Sequence, residues 1–159
     1  MSSEITIQAA LITPLIGAVL IAFSGRWPNL RETITLVTAT ILFVLVASLY
    51  PEIMAGGRPS LVIGEMLPGL SIAFTVEPLG LIFACIASFL WIINSLYSIG
   101  YMRANNEKNQ TRFYVCFAIA LTCTMAIAFS GNMMTLFIFY EALTLCTYPL
   151  VTHAGTDKA

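Results

Sequence analysis

The sequence predicts an all-α membrane protein: about five transmembrane helices, with a short external β-hairpin between helices 2 and 3. Three observations predict it. Of 159 residues, 58% are hydrophobic and only 9% are charged, where a soluble domain carries about 25% charged residues. Five apolar runs are each long enough to cross roughly 30 Å of hydrocarbon. One Gly- and Pro-punctuated link divides them.

The spans fall near 5–23, 33–50, 78–100, 112–129 and 132–152. The first is expected to be a span and not a signal peptide, because "MSSEIT" offers no Lys or Arg and its only charge is Glu4. The second follows a short basic link. The third carries Asn94 and Ser95, and the fourth Thr122 and Thr124; in membranes such residues make helix–helix hydrogen bonds. The fifth carries Glu141 and ends beyond Pro149, which removes a backbone donor and bends its last turns. In the link 51–77, the runs "SLVIG" and "LSIAFTVE" stand between turn residues and read as a hairpin. A lone hairpin is only marginally stable in water, so it must pack on another surface.

Charge sorts the connections. If the chain threads back and forth, one side receives the links 24–32 and 101–111 and the C-terminal tail. Arg26, Arg31, Arg103, Lys108, Arg112 and Lys158 all fall there, against Arg58 alone on the other side. The positive-inside rule makes the richer side cytoplasmic. The N-terminus, the hairpin and the "SGN" turn then lie outside, and residues 101–111 and the C-terminal tail lie in the cytoplasm.

Several functions are excluded by what the residues lack. No basic surface is present to hold nucleic acid. No GxGxxG, P-loop or zincin motif occurs, nor any haem, iron–sulfur or flavin motif, so the chain is expected to bind no cofactor and not to be an enzyme itself. Cys85, Cys116, Cys123 and Cys146 all lie in apolar runs without a CxxC pair, and read as free thiols packing as small hydrophobes. His153, at the end of the last run, reads as an interfacial residue and not a metal ligand.

One residue is out of keeping. Of the eight acids, only Glu141 falls deep within a predicted span, roughly 14 Å from Asn132 at 1.5 Å per residue. An ionised acid there costs about 2.5–3.5 kcal/mol on insertion scales. It is tolerable if it holds its proton or if another helix supplies a cation. A group that moves between those states transfers protons. Thr144 and Tyr148, at i+3 and i+7, and Phe137, at i−4, share its face and make Thr144 and Tyr148 candidate polar neighbours of a proton path. Leu136, Leu143 and Leu150 point elsewhere. The predicted spans contain no Lys or Arg except Arg112 at the cytoplasmic edge of the fourth, too far from Glu141 to pair with it, so a pairing cation must come from elsewhere. The alternative is a protonated glutamate that only hydrogen-bonds between helices.

Four stretches, "FTVEPLG", "SLYSIGYMR", "NQTRFY" and "FSGNMMTLFIFYEALTLCTYPLV", resemble the N-terminal part of an antiporter-like membrane subunit. That family includes the D-type subunit of the multisubunit Na+/H+ antiporters, to which the resemblance is closest through "SLYSIGYM" and "LFIFYEALTLCTYPLV". It also includes the proton-pumping subunits of respiratory complex I and of membrane-bound hydrogenases. The resemblance covers essentially the whole chain. It implies that Glu141, within "FIFYEALTL", is the proton-transfer residue of the fifth helix, partnered by a lysine on a broken seventh helix. It implies about fourteen helices built around two inverted five-helix repeats. Residues 1–159 then correspond to helices 1–5, a fragment or one part of a split subunit, with the later helices as a partner.

The expected function is therefore a component of a proton-translocating channel in a multisubunit monovalent cation/proton antiporter. Its partners are the lipid bilayer, the other membrane subunits, H+, and Na+ or K+. The expected location is a bacterial-type inner or plasma membrane. One alternative is a proton-pumping subunit of a complex I-like dehydrogenase or membrane-bound hydrogenase. A second is a structural membrane scaffold without transport of its own.

Overall fold

The computed structural model describes residues 3–67, 69–105 and 109–152. In chain order the elements are α1 (Ser3–Phe23), α2 (Pro28–Ser48), a short α3 (Tyr50–Met54), β1 (Ser60–Leu67), β2 (Leu70–Thr75), α4 (Pro78–Ala104), α5 (Gln110–Ala128) and α6 (Met133–Val151). Among the described residues, five helices are long and apolar enough to cross a membrane: α1, α2 continued by α3, α4, α5 and α6. The hairpin lies between the second and third of these, as the link composition predicts.

Local chemistry sets the helix starts. Proline opens both α2 and α4, where its missing N–H costs nothing and its fixed φ suits a first turn. Asn132 caps α6, its side chain accepting from the Thr135 N–H at 2.8 Å. Two boundaries differ from the sequence expectation. Pro28 starts α2 five residues before the predicted 33, and α4 runs on to Ala104. Arg31, Glu32 and Arg103 therefore sit in helical end turns, not in links. His153, Lys108 and Lys158 lie outside the described residues.

Helix α1 packs against α2 and α5, α2 against α4, and α5 against α6. Ile7, Ile21, Leu42, Trp91, Met125 and Phe129 are buried in the shared core. Gly17 is what allows α1 and α2 to touch: a Cβ there would come 2.5 Å from Thr38 Cγ2, and small residues let helix backbones approach in lipid. Thr122 and Thr124 do not bond across helices as expected. They donate to the carbonyls of Ala118 (3.3 Å) and Ala120 (2.8 Å) in their own helix. The i−4 carbonyl is always within reach and satisfies the hydroxyl without a partner helix.

The hairpin finds its supporting surface within the chain, on the turn between α5 and α6. The Thr75 N–H donates to the Phe129 carbonyl at 2.7 Å, and the Gly131 N–H to the Ala73 carbonyl at 2.8 Å. The Ala73 N–H donates to Thr135 Oγ1 at 3.1 Å, and Asn132 Nδ2 to the Ser71 carbonyl at 2.7 Å. Phe74 is fully buried beneath, its ring 5.7 Å from that of Phe139. Gly131 must be small here, since a Cβ would stand 2.8 Å from Thr75 Oγ1. The hairpin thus gains the partner that an isolated pair of strands lacks.

Asn132 both caps α6 and holds β2. Asn132→Ala should cost about 1–2 kcal/mol. Native-state hydrogen exchange should show faster exchange at the amides of Thr135, Ala73 and Gly131, with Leu42 and Ala84 unchanged.

Candidate functional site

The cap at Asn132 fixes where α6 begins and so how deep each of its residues lies. Glu141 falls near the middle of α6, roughly 14 Å from the cap at 1.5 Å per residue. The helix has one covered side. Thr135 is its one buried residue among those described, pinned under the hairpin. Leu143 and Leu150 turn inward, with Thr147, to line a groove of about 480 Å³ shared with Trp91, Asn94 and Phe117 of α4 and α5. Leu136 sits at the edge of the exposed surface.

Glu141 is on the other side. It is exposed, as are Phe137, Thr144 and Tyr148, so one stripe of α6 carries an acid, a hydroxyl and a phenol. Tyr140 and Leu145 flank it, also exposed. The Thr144 hydroxyl donates to the Tyr140 carbonyl at 3.0 Å, which leaves its oxygen lone pairs open to accept. Pro149 lies inside the helix and contributes no N–H to its fourth preceding carbonyl. The stripe gathers acceptors and a titratable group with no described cation beside them: the ion pairs among the described residues all involve Glu32.

That second acid is not a candidate from the sequence. Glu32, in the first turns of α2, is only 5% exposed. Arg103 reaches it from the end of α4, Nε donating to Oε1 at 3.0 Å and Nη2 to Oε2. Arg31, 4% exposed, lies 3.7 Å from the same carboxylate. Its guanidinium also donates to Gln110 Oε1 (2.7 Å) and Thr111 Oγ1 (3.1 Å), and stacks over the Tyr114 ring at 5.2 Å. One carboxylate and two guanidiniums thus tie the ends of α2, α4 and α5. The signal for it in the sequence is Pro28: read as a first helical residue, it carries "RE" into the helix.

No family model matches the chain. It is 28% identical over 148 residues to the A-type subunit of the Na(+)/H(+) antiporter of Alkalihalophilus pseudofirmus, a match covering 91% of this chain and 18% of that protein. It is 26% identical over 157 residues to the L-type subunit of the NADH-quinone oxidoreductase of Escherichia coli, covering 92% of this chain and 25% of the relative. The chain is thus similar in sequence to antiporter-like membrane subunits of both kinds of complex. Its helices superpose with a TM-score of 0.74 on a chain of the membrane-bound sulfane sulfur reductase, an archaeal respiratory membrane complex, at 20% identity over 89% of this chain and 22% of that one. That likeness shows a shared fold. The antiporter-like relatives do not separate the D type from the A and L types. The chain spans about a fifth to a quarter of their length.

The Glu32 cluster gives a stability test independent of transport. Glu32→Gln strands two guanidiniums, one of them buried, and should destabilise the fold by about 3 kcal/mol or more. Arg103→Gln should cost less, because Arg103 is half exposed and Arg31 remains beside Glu32. Thermal unfolding of the detergent-extracted protein should rank the two in that order.

Proposed function

We propose that the chain supplies the first five spans of a proton-translocating subunit in a multisubunit monovalent cation/proton antiporter, and that Glu141 is its proton-transfer residue. The observation that carries this reading is the position of Glu141: mid-helix, on an open stripe with Thr144 and Tyr148, without a described counter-charge. Intramembrane acids are functional by default, because their cost is not otherwise offset. A lysine from a neighbouring helix, in the remainder of the subunit, favours the carboxylate. Desolvation favours the acid. With these opposed, a small movement of the lysine loads or releases a proton. The cation exchanged is Na+ or K+, and the chain itself performs no redox chemistry.

The similarity to the A-type antiporter protein supports the antiporter reading. The similarity to the L-type quinone oxidoreductase protein supports a second, in which the same helices belong to a redox-driven proton pump. In either reading, Glu141 has the same proposed role. The membrane is bacterial-type, with the N-terminus and hairpin outside and the ends of α4 and α5 near Arg103 and Arg112 in the cytoplasm.

Two experiments test this. Glu141→Gln keeps the side chain's shape but cannot ionise. In vesicles containing the complete complex it should bring cation/proton exchange to background while the amount of each protein component is unchanged. Glu141→Asp should retain partial exchange, limited by its shorter reach. Normal transport by an assembled Gln variant makes Glu141 a structural hydrogen-bonder and favours the scaffold reading. For orientation, a cysteine at exposed Ala55 should react with a membrane-impermeant maleimide from outside, and one at exposed Asn105 should not. The opposite labelling pattern overturns the placement of both ends.

A further inference from the structure

The Glu32 cluster is not closed on the side that faces away from α5. Between the start of α2 and the end of α4 lies a cleft of about 390 Å³. Its polar end is formed by Asn29, Glu32 and Arg103, and its apolar walls by Leu36, Leu96 and Ile99. Asn29 is the second residue of α2, and Arg103 the last but one of α4. Leu36 and Leu96 stand about two turns deeper, roughly 10 Å towards the middle of the spans. The cleft therefore runs from charge at the helix ends to hydrocarbon within, the same polarity profile as one leaflet of a bilayer.

The charges at the polar end are unbalanced. Among the described residues, Arg31 and Arg103 face one carboxylate, a formal surplus of one positive charge. Arg103 spends Nε and Nη2 on Glu32 and Asn29, the latter at 2.5 Å. Its Nη1 has no protein partner among the described residues, and the side chain is 50% exposed. A planar guanidinium with a free edge suits a phosphate oxygen. Arg26 and Trp27 are exposed at the preceding turn, Trp27 by 61%, where an indole and a cation sit at headgroup level.

We propose that this cleft binds an anionic phospholipid, with its phosphate on Arg103 Nη1 and one acyl chain along Leu36, Leu96 and Ile99. A net-negative headgroup neutralises the surplus charge. A zwitterionic lipid brings its own cation into the field of Arg26, Arg31 and Arg103 and is disfavoured. The bound lipid completes the seam between α2 and α4, whose polar end the protein leaves half open.

The test is native mass spectrometry of the chain in its membrane complex, extracted in mild detergent and titrated with dioleoyl-phosphatidylglycerol or dioleoyl-phosphatidylcholine. The native protein should retain phosphatidylglycerol about five-fold better, the preference expected from one basic residue at the surface. Leu96→Trp fills the apolar half without touching the ion pair and should abolish the preference. Leu15→Trp, at a lipid-facing position of α1 outside the cleft, should leave it intact. Arg103→Gln should lower it as well, and because that variant also loosens the fold, Leu96→Trp is the deciding one. Equal retention of the two lipids by the native protein, or an undiminished preference in Leu96→Trp, overturns the proposal. Displacement of the lipid by excess inorganic phosphate does so too, since it shows that the acyl chain has no part.

Discussion

A carboxylate within a helix that crosses a membrane has to be matched by positive charge or keep its proton, because ionised acids are poorly tolerated in hydrocarbon. This chain places two acids under that constraint and treats them in opposite ways. Glu32 is buried at the end of α2 and held by Arg103 and Arg31, with Gln110, Thr111 and Tyr114 completing the shell around Arg31. Glu141 stands mid-way along α6 on an exposed stripe, outside every described ion pair. The first arrangement is fixed and structural. The second is open, and an open charge site inside a membrane is one whose protonation a neighbouring helix can set.

The rest of the fold serves that difference. The Glu32 cluster ties α2, α4 and α5 at one end of the bundle. At the other end the hairpin ties β2 to the α5–α6 turn through Thr75, Gly131, Asn132 and Thr135. Helix α6 is therefore anchored at its start by the cap and hairpin and along one side by α5, while its Glu141 stripe is left uncovered. A helix anchored in this way holds its acid at constant depth, which the proposed relay requires.

Much of this is legible in the residues. The spans follow from apolar runs and the hairpin from "SLVIG" and "LSIAFTVE" between turn residues, because both signals are local. Glu141 stands out because it is a single acid in a long apolar run, where a charge is costly. What the sequence hides is long-range. Nothing in "WPNLRE" alone shows that Arg103, over seventy residues away, reaches Glu32; charged residues beside a predicted span look like link residues until the helix is extended back to Pro28. Thr122 and Thr124 mislead for the reverse reason: their type suggests bonds between helices, but the nearest acceptor is in their own helix. The support for the hairpin on the α5–α6 turn is equally invisible, since it is made mainly by backbone groups and by Asn132 and Thr135, which the sequence reading places in the "SGN" turn and the fifth span.

The central claim is that Glu141 gains and loses a proton during transport. Infrared difference spectroscopy of the complete complex, driven through its cycle by an imposed pH gradient, measures this directly. The expected result is a carboxylic-acid C=O signal that grows and fades with the gradient and is absent from Glu141→Gln. A signal that persists unchanged in Glu141→Gln, or no cycle-dependent carboxyl signal at all in the native complex, contradicts it.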